Sequence, residues 1–144
     1  MITPHGYKLL KQYLKPGMFI LQLGDQLADW NGLVSHRRAG QIIAKEFGVK
    51  VQDVDINGSE RTLNFNLNNL TPTLQEKVNT PVDIVTDFGT IEHTNDIYAA
   101  MHNVWSCLAG GGLSIHANPD HTYERHGNYY FTPEFWNKIG RAHV

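Results

Sequence analysis

The chain has 144 residues, of which 41% are hydrophobic and 18% charged, and its net charge is −2 with histidine neutral. One domain spanning 1–144 is expected at this length, and the near-neutral balance excludes the broad basic surface of a nucleic-acid or acidic-membrane binder. Cys107 is the only cysteine, so no internal disulfide is available; with no secretory leader and no apolar run of roughly 20 residues, a cytoplasmic protein that crosses no membrane is expected.

In chain order, Thr3-Pro4 has the form of an N-cap and first helical position, and Leu9, Leu10, Tyr13 and Leu14 recur at helical spacing until Lys15-Pro16-Gly17. Met18 to Leu23 is almost continuously apolar and closes on Gly24, the pattern of a central strand covered on both faces. Ser35 is a candidate cap for a helix with Ala39, Ile42, Ile43 and Phe47 on one face and Gly48 at its exit. The alternating segment Val49 to Asp55 predicts a second strand, and Leu63, Phe65 and Leu67 a short third. Thr71-Pro72 is read as opening a weak helix with Leu74 and Val78.

The alternation continues with a strand over Val82 to Asp87 and a helix whose stripe is Ile97, Met101, Val104, Trp105 and Leu108. Gly110-Gly111-Gly112 is expected to end that helix and return the chain into a fifth strand, Leu113 to Ala117, stopped by Asn118-Pro119. A His-, Tyr-, Asn- and Gly-rich loop then leads to a last helix opened by Thr132-Pro133 and carrying Phe135, Trp136 and Ile139. Alternating strands and helices imply an α/β, Rossmann-like three-layer sandwich with a mostly parallel sheet, whose ligands sit beyond the carboxyl ends of the strands. That rule directs attention to Gly24 to Leu27, Asp55, Asn66 and Asp87 to Thr90.

Four segments, in this order, resemble the class I S-adenosylmethionine-dependent methyltransferases of the methyltransferase type 11 kind. They are the strand and loop Phe19 to Gln26; the strand and Glu-His turn Val82 to His93 followed by Leu108 to His116; and Phe131-Thr132-Pro133-Glu134-Phe135. The resemblance implies strand order 3-2-1-4-5 and S-adenosylmethionine as cofactor. It places Gly24, Asp25 and Gln26 beside the methionyl part, with Gln26 standing where the family commonly has a second glycine. Asp55 would accept from the ribose hydroxyls, Asn66 and Leu67 would face adenine, and Asp87, Phe88 and Gly89 would lie beneath the sulfonium, where an aromatic ring attracts a cation. The family usually has an acidic residue at the position of Asn66, whose amide oxygen can still accept from the adenine amine.

Methyl transfer from a sulfonium is a direct displacement that in-line positioning accelerates. His93 is the candidate general base or positioning group toward an unidentified methyl acceptor, with helix capping as its structural alternative. Two other readings remain open: a noncatalytic ligand- or partner-binding domain with the same fold, and a nicotinamide-dependent oxidoreductase, although the first loop lacks Gly-x-Gly-x-x-Gly. No metal centre is expected; His116, Asp120 and His121 have suitable donor types, but the chain has neither paired cysteines nor His-Glu-x-x-His. Cys107 and Trp105 are assigned to packing. The resemblance implies two further strands after the last helix, so the domain reads as truncated, with 139–144 a non-native tail encoded by a sequencing adapter.

Overall fold

A computed structural model describes residues 1–30, 38–123 and 125–139. Five strands, β1 (Phe19–Leu23), β2 (Lys50–Asp55), β3 (Leu63–Asn64), β4 (Val82–Asp87) and β5 (Leu108–His116), form one sheet in the order β3-β2-β1-β4-β5. All four pairings are parallel, so the topology is the expected 3-2-1-4-5. Helices α1 (Pro4–Lys11), α2 (Ala39–Phe47), α3 (Leu74–Val78), α4 (Ile97–Cys107) and α5 (Pro133–Ile139) flank it, and none of them is long and apolar enough to cross a membrane.

Side-chain alternation along the strands divides the core in two. Leu21, Leu23, Val54 and Val85 point into a cluster with Leu74 of α3 and Met101 and Val104 of α4, against which Phe135 and Trp136 of α5 pack. Ile20, Ile84 and Ile115 enter the other cluster with Leu10 of α1 and Ala39 and Ile43 of α2. Burial on both faces explains why β1 reads as an apolar run. Cys107 belongs to the first cluster, and burial pushes its thiol up to about 11.

Local signals fix most helix ends. Thr3 Oγ1 accepts from Gly6 N at 3.2 Å, and Gly48 closes α2 in the left-handed region at φ 65°. Ser35 lies outside the described residues, as do 140–144. Three expectations need correction. The helix placed at Thr71-Pro72 starts later, at Leu74, because Thr73 and Glu76 form a reciprocal capping box. The third strand stops at Asn64, where Asn66 begins a side-chain turn. Gly110 to Gly112 lie inside β5: helix α4 passes directly into strand, and the glycines form a bulge between the Val82↔Leu108 and Ile84↔Leu113 pairs.

A buried amide ties α4 to the connection after β3. Asn103, fully buried, accepts from Leu74 N at 2.8 Å and donates to Leu67 O at 3.0 Å and Asn69 O at 2.8 Å. Replacing Asn103 by leucine keeps similar bulk but leaves three backbone groups without their partner. Urea unfolding of Asn103→Leu should show a loss of roughly 2–4 kcal/mol; a loss below about 1 kcal/mol would show that these bonds do not hold the connection.

Candidate functional site

The carboxyl ends of β2, β1 and β4 carry the residues singled out in the sequence. Position 55 and the glycine turn do meet there: Asp55 Oδ2 accepts from Asp25 N at 2.9 Å, and Gly24 N donates to Val54 O at 2.7 Å. The other Asp55 oxygen accepts from Asn57 N at 2.8 Å. Each carboxylate oxygen can take a second donor, so Asp55 is oriented by the backbone without being saturated.

Beside Asp55 opens a cleft of about 160 Å³, lined by Val54, Asp55, Ile56, Phe65, Asn66 and Leu67 on one side. Asn68, Thr90, His93 and Thr94 complete it. Its walls are mostly apolar, with polar groups at the rim. The Asn66 carbonyl is occupied, accepting from Asn68 N at 3.0 Å and Asn68 Nδ2 at 2.8 Å. Asn68 in turn accepts, through its own Oδ1, from Asn95 N and Asp96 N, both at 2.9 Å. The wall is thus tied to the start of α4.

Gly24 has the expected turn conformation, φ +79°, but the space over it is taken. A Cβ there would lie 2.5 Å from Gln26 Nε2 and 2.7 Å from Thr90 Oγ1. The Gln26 side chain folds back to donate to Leu23 O at 3.1 Å and to Thr90 Oγ1 at 3.3 Å, while Thr90 Oγ1 donates to Leu23 O at 3.0 Å. The Met1 ammonium donates to Gln26 Oε1; burial lowers that amine's pKa, opposed by the charges of Glu92 and Asp29. The switch point between β1 and β4 is therefore bridged by side chains of the chain itself.

Asp25 turns away from the cleft. Its Oδ2 lies 3.4 Å from Arg38 Nε and accepts from Ser59 N at 3.1 Å. Below it, Asp53 accepts from Gln22 Nε2 at 2.5 Å and lies against Gly40 of α2, where an added Cβ would come within 2.8 Å of Asp53 Oδ1. Burial, helped by the Asp25 charge and opposed by Gln22 and Arg38, pushes the Asp53 carboxyl up to about 6.

Asp87 is fully buried and wholly engaged. Its Oδ1 accepts from Thr90 N at 3.0 Å and Ile91 N at 3.3 Å; its Oδ2 is 3.0 Å from His116 Nδ1 and accepts from Asn118 Nδ2 at 2.8 Å. Phe88 packs into the α1 side of the core, its ring so close to Gly6 that a Cβ there would stand 2.8 Å from Cε1. Phe88 is a core residue, 6% exposed. Gly89, at φ +84°, turns the chain toward Glu92.

His93 reaches the cleft with its side chain 51% exposed, and Nε2 lies 3.7 Å from Glu92 Oε1. It does not cap α4; Asp96 does, accepting from Ala99 N at 3.0 Å. His116, Asp120 and His121 do not form a cluster of potential metal ligands among the described residues. Five contributors were missed in the sequence: Ile56, Asn68, Glu92, Thr94 and His126. Ile56 follows the singled-out Asp55 directly, and Glu92 sits in the Glu-His turn, so adjacency was the available signal for those two.

Asp53 gives this region a pH signature. The folded chain holds its proton more tightly than the unfolded chain, whose ordinary value is 3.8 against about 6 when folded. Stability therefore falls as pH rises through that window, and the penalty is complete above it. Asp53→Asn should stabilise the protein at pH 7.5 by on the order of 1–2 kcal/mol, a figure reduced for solvent screening. Denaturant unfolding should show the gain fading toward pH 4; an equal effect at both pH values would contradict the cause assigned here.

A scan against protein-family models finds no match to this chain, and a search of curated proteins finds none either.

Proposed function

We propose that the chain binds S-adenosylmethionine through its nucleoside end and directs methyl transfer to an acceptor by direct displacement. The observation that carries this reading is the pairing of Asp55 with the adjacent cleft. A carboxylate at the carboxyl end of β2, held by two backbone amides, stands beside apolar walls from Ile56, Phe65 and Leu67. An ionised carboxylate with spare acceptor sites suits a pair of ribose hydroxyls, and a narrow apolar slot suits a purine face.

At about 160 Å³ the cleft has room for a ring system, below the roughly 300–1,000 Å³ of sites that enclose drug-sized ligands. The methionyl part would extend over Gly24, where Gln26 and Thr90 now pack, so Gln26 has to rotate outward to admit it. In this arrangement the acceptor approaches from the His93 side. There an imidazole can take a proton from an acceptor that must lose one, or orient an acceptor that need not.

The same closure at Gly24 favours a second reading, a domain that binds the nucleoside without transferring a methyl group. Calorimetry separates the two. S-Adenosylhomocysteine should bind with one site per chain and more tightly than adenosine, and Asp55→Asn should weaken both at least tenfold. Gln26→Gly should tighten S-adenosylhomocysteine while leaving adenosine unchanged. Equal affinities for the two ligands, untouched by Gln26→Gly, would support the second reading. No binding of either, or binding indifferent to Asp55, would overturn both.

A further inference from the structure

We propose that Glu92, His93 and His126 bind one divalent cation of the zinc class, through Glu92 Oε1 and the two Nε2 atoms, with a fourth position open to water. This site shares His93 with the acceptor side of the proposed cleft, but it requires no bound nucleoside and stands without that reading. Among the described residues these three make the one group of at least three His, Cys, Asp or Glu side chains whose ligand atoms all lie within 4.8 Å of one another.

The carboxylate supplies the first argument. Glu92 is 0% exposed, and its Oε1 is buried without a hydrogen-bond partner. A buried ionised oxygen left so is costly unless a positive charge meets it. The Met1 ammonium acts on it only through space. Its other oxygen accepts from Asn118 Nδ2 at 3.0 Å, which orients the carboxylate and leaves Oε1 for a ligand.

Distance supplies the second. His93 Nε2 and His126 Nε2 lie 3.7 and 3.5 Å from Glu92 Oε1. Those separations are at or beyond the limit of a hydrogen bond. They are close to the edge of a tetrahedron, roughly 3.3–3.4 Å, that zinc bonds of about 2.0–2.1 Å would span. Two imidazoles and a carboxylate are a zinc donor set that leaves a position for water, and both rings are about half exposed, at 51% and 54%.

The residues that follow His126 fasten its loop to the Glu92-His93 turn. Asn128 N and Tyr129 N both donate to Glu92 O, at 2.6 and 3.1 Å, and Asn128 Nδ2 donates to His93 O at 3.2 Å and Thr94 O at 3.0 Å. Gly127 makes this approach possible, since a Cβ there would stand 2.7 Å from Glu92 O. The two imidazoles are thereby brought to a centroid distance of 5.1 Å from sequence positions far apart. A bound cation takes the lone pair of His93, so that imidazole then acts on an acceptor through the metal and its water rather than as a free base.

The test uses the full chain, stripped with a chelator and titrated with Zn²⁺ in competition with a chromophoric chelator, with no nucleoside present. One equivalent should bind; His126→Ala and Glu92→Gln should each weaken it at least tenfold, and His121→Ala should leave it unchanged. Zn²⁺ should also raise the thermal midpoint of the wild type and not of His126→Ala, and Co²⁺ in its place should give visible ligand-field bands. Absence of stoichiometric binding, or binding that survives both His126→Ala and His93→Ala, would overturn the site. Because S-adenosylhomocysteine is absent from every arm, a failure here leaves the nucleoside reading standing, and the reverse also holds.

Discussion

The upper edge of this fold depends on one buried carboxylate. Asp87 ends β4 at the switch point, and its two oxygens gather the amides of the following turn, the His116 ring from β5 and the Asn118 amide beyond it. Because Asn118 also holds Glu92, the same set of bonds fixes the direction of the Glu92 carboxylate. A charge in this position is tolerated because the surrounding groups solvate it completely. The tip of β4, the turn after it and the exit of β5 consequently behave as one unit, and both the cleft and the histidine pair are mounted on it.

Much of the architecture was legible because the strands are covered on both faces. An apolar run at Phe19 to Leu23 and strand patterns at Val49 to Asp55 and Val82 to Asp87, separated by helical stripes, leave few alternatives to a parallel sheet. The failures were local. Three consecutive glycines looked like a stop, yet a strand at the sheet edge can absorb them as a bulge, and the pattern of Gly110 to Gly112 carries no sign of which will occur. At Thr71-Pro72 the proline drew attention from the capping box Thr73-x-x-Glu76, a stronger signal that begins at the next residue.

The site was legible in parts. Asp55 and Asn66-Leu67 line one cleft because strand ends in a known order must converge. What Gln26 does could not be read, since a flexible amide can reach out to a ligand or fold back onto its own turn, and local spacing is the same in both cases. His126 was hidden for a different reason. It faces Glu92 only because Gly127 lets two loops touch, and a contact between distant loops leaves no periodicity in the chain.

One wall of the cleft is built from neutral dipoles. Asn66, Asn68, Asn95 and Asn103 are linked to one another or to nearby backbone, and no ion pair takes part in those links. Dissolved ions screen charges over about a Debye length but have little hold on amide-to-amide bonds at contact distance. Carboxamides do not titrate either. The shape of that wall should persist from dilute buffer to concentrated brine, so any response of ligand capture to ionic strength has to originate in Asp55 or His93, not in a change of the cavity's form.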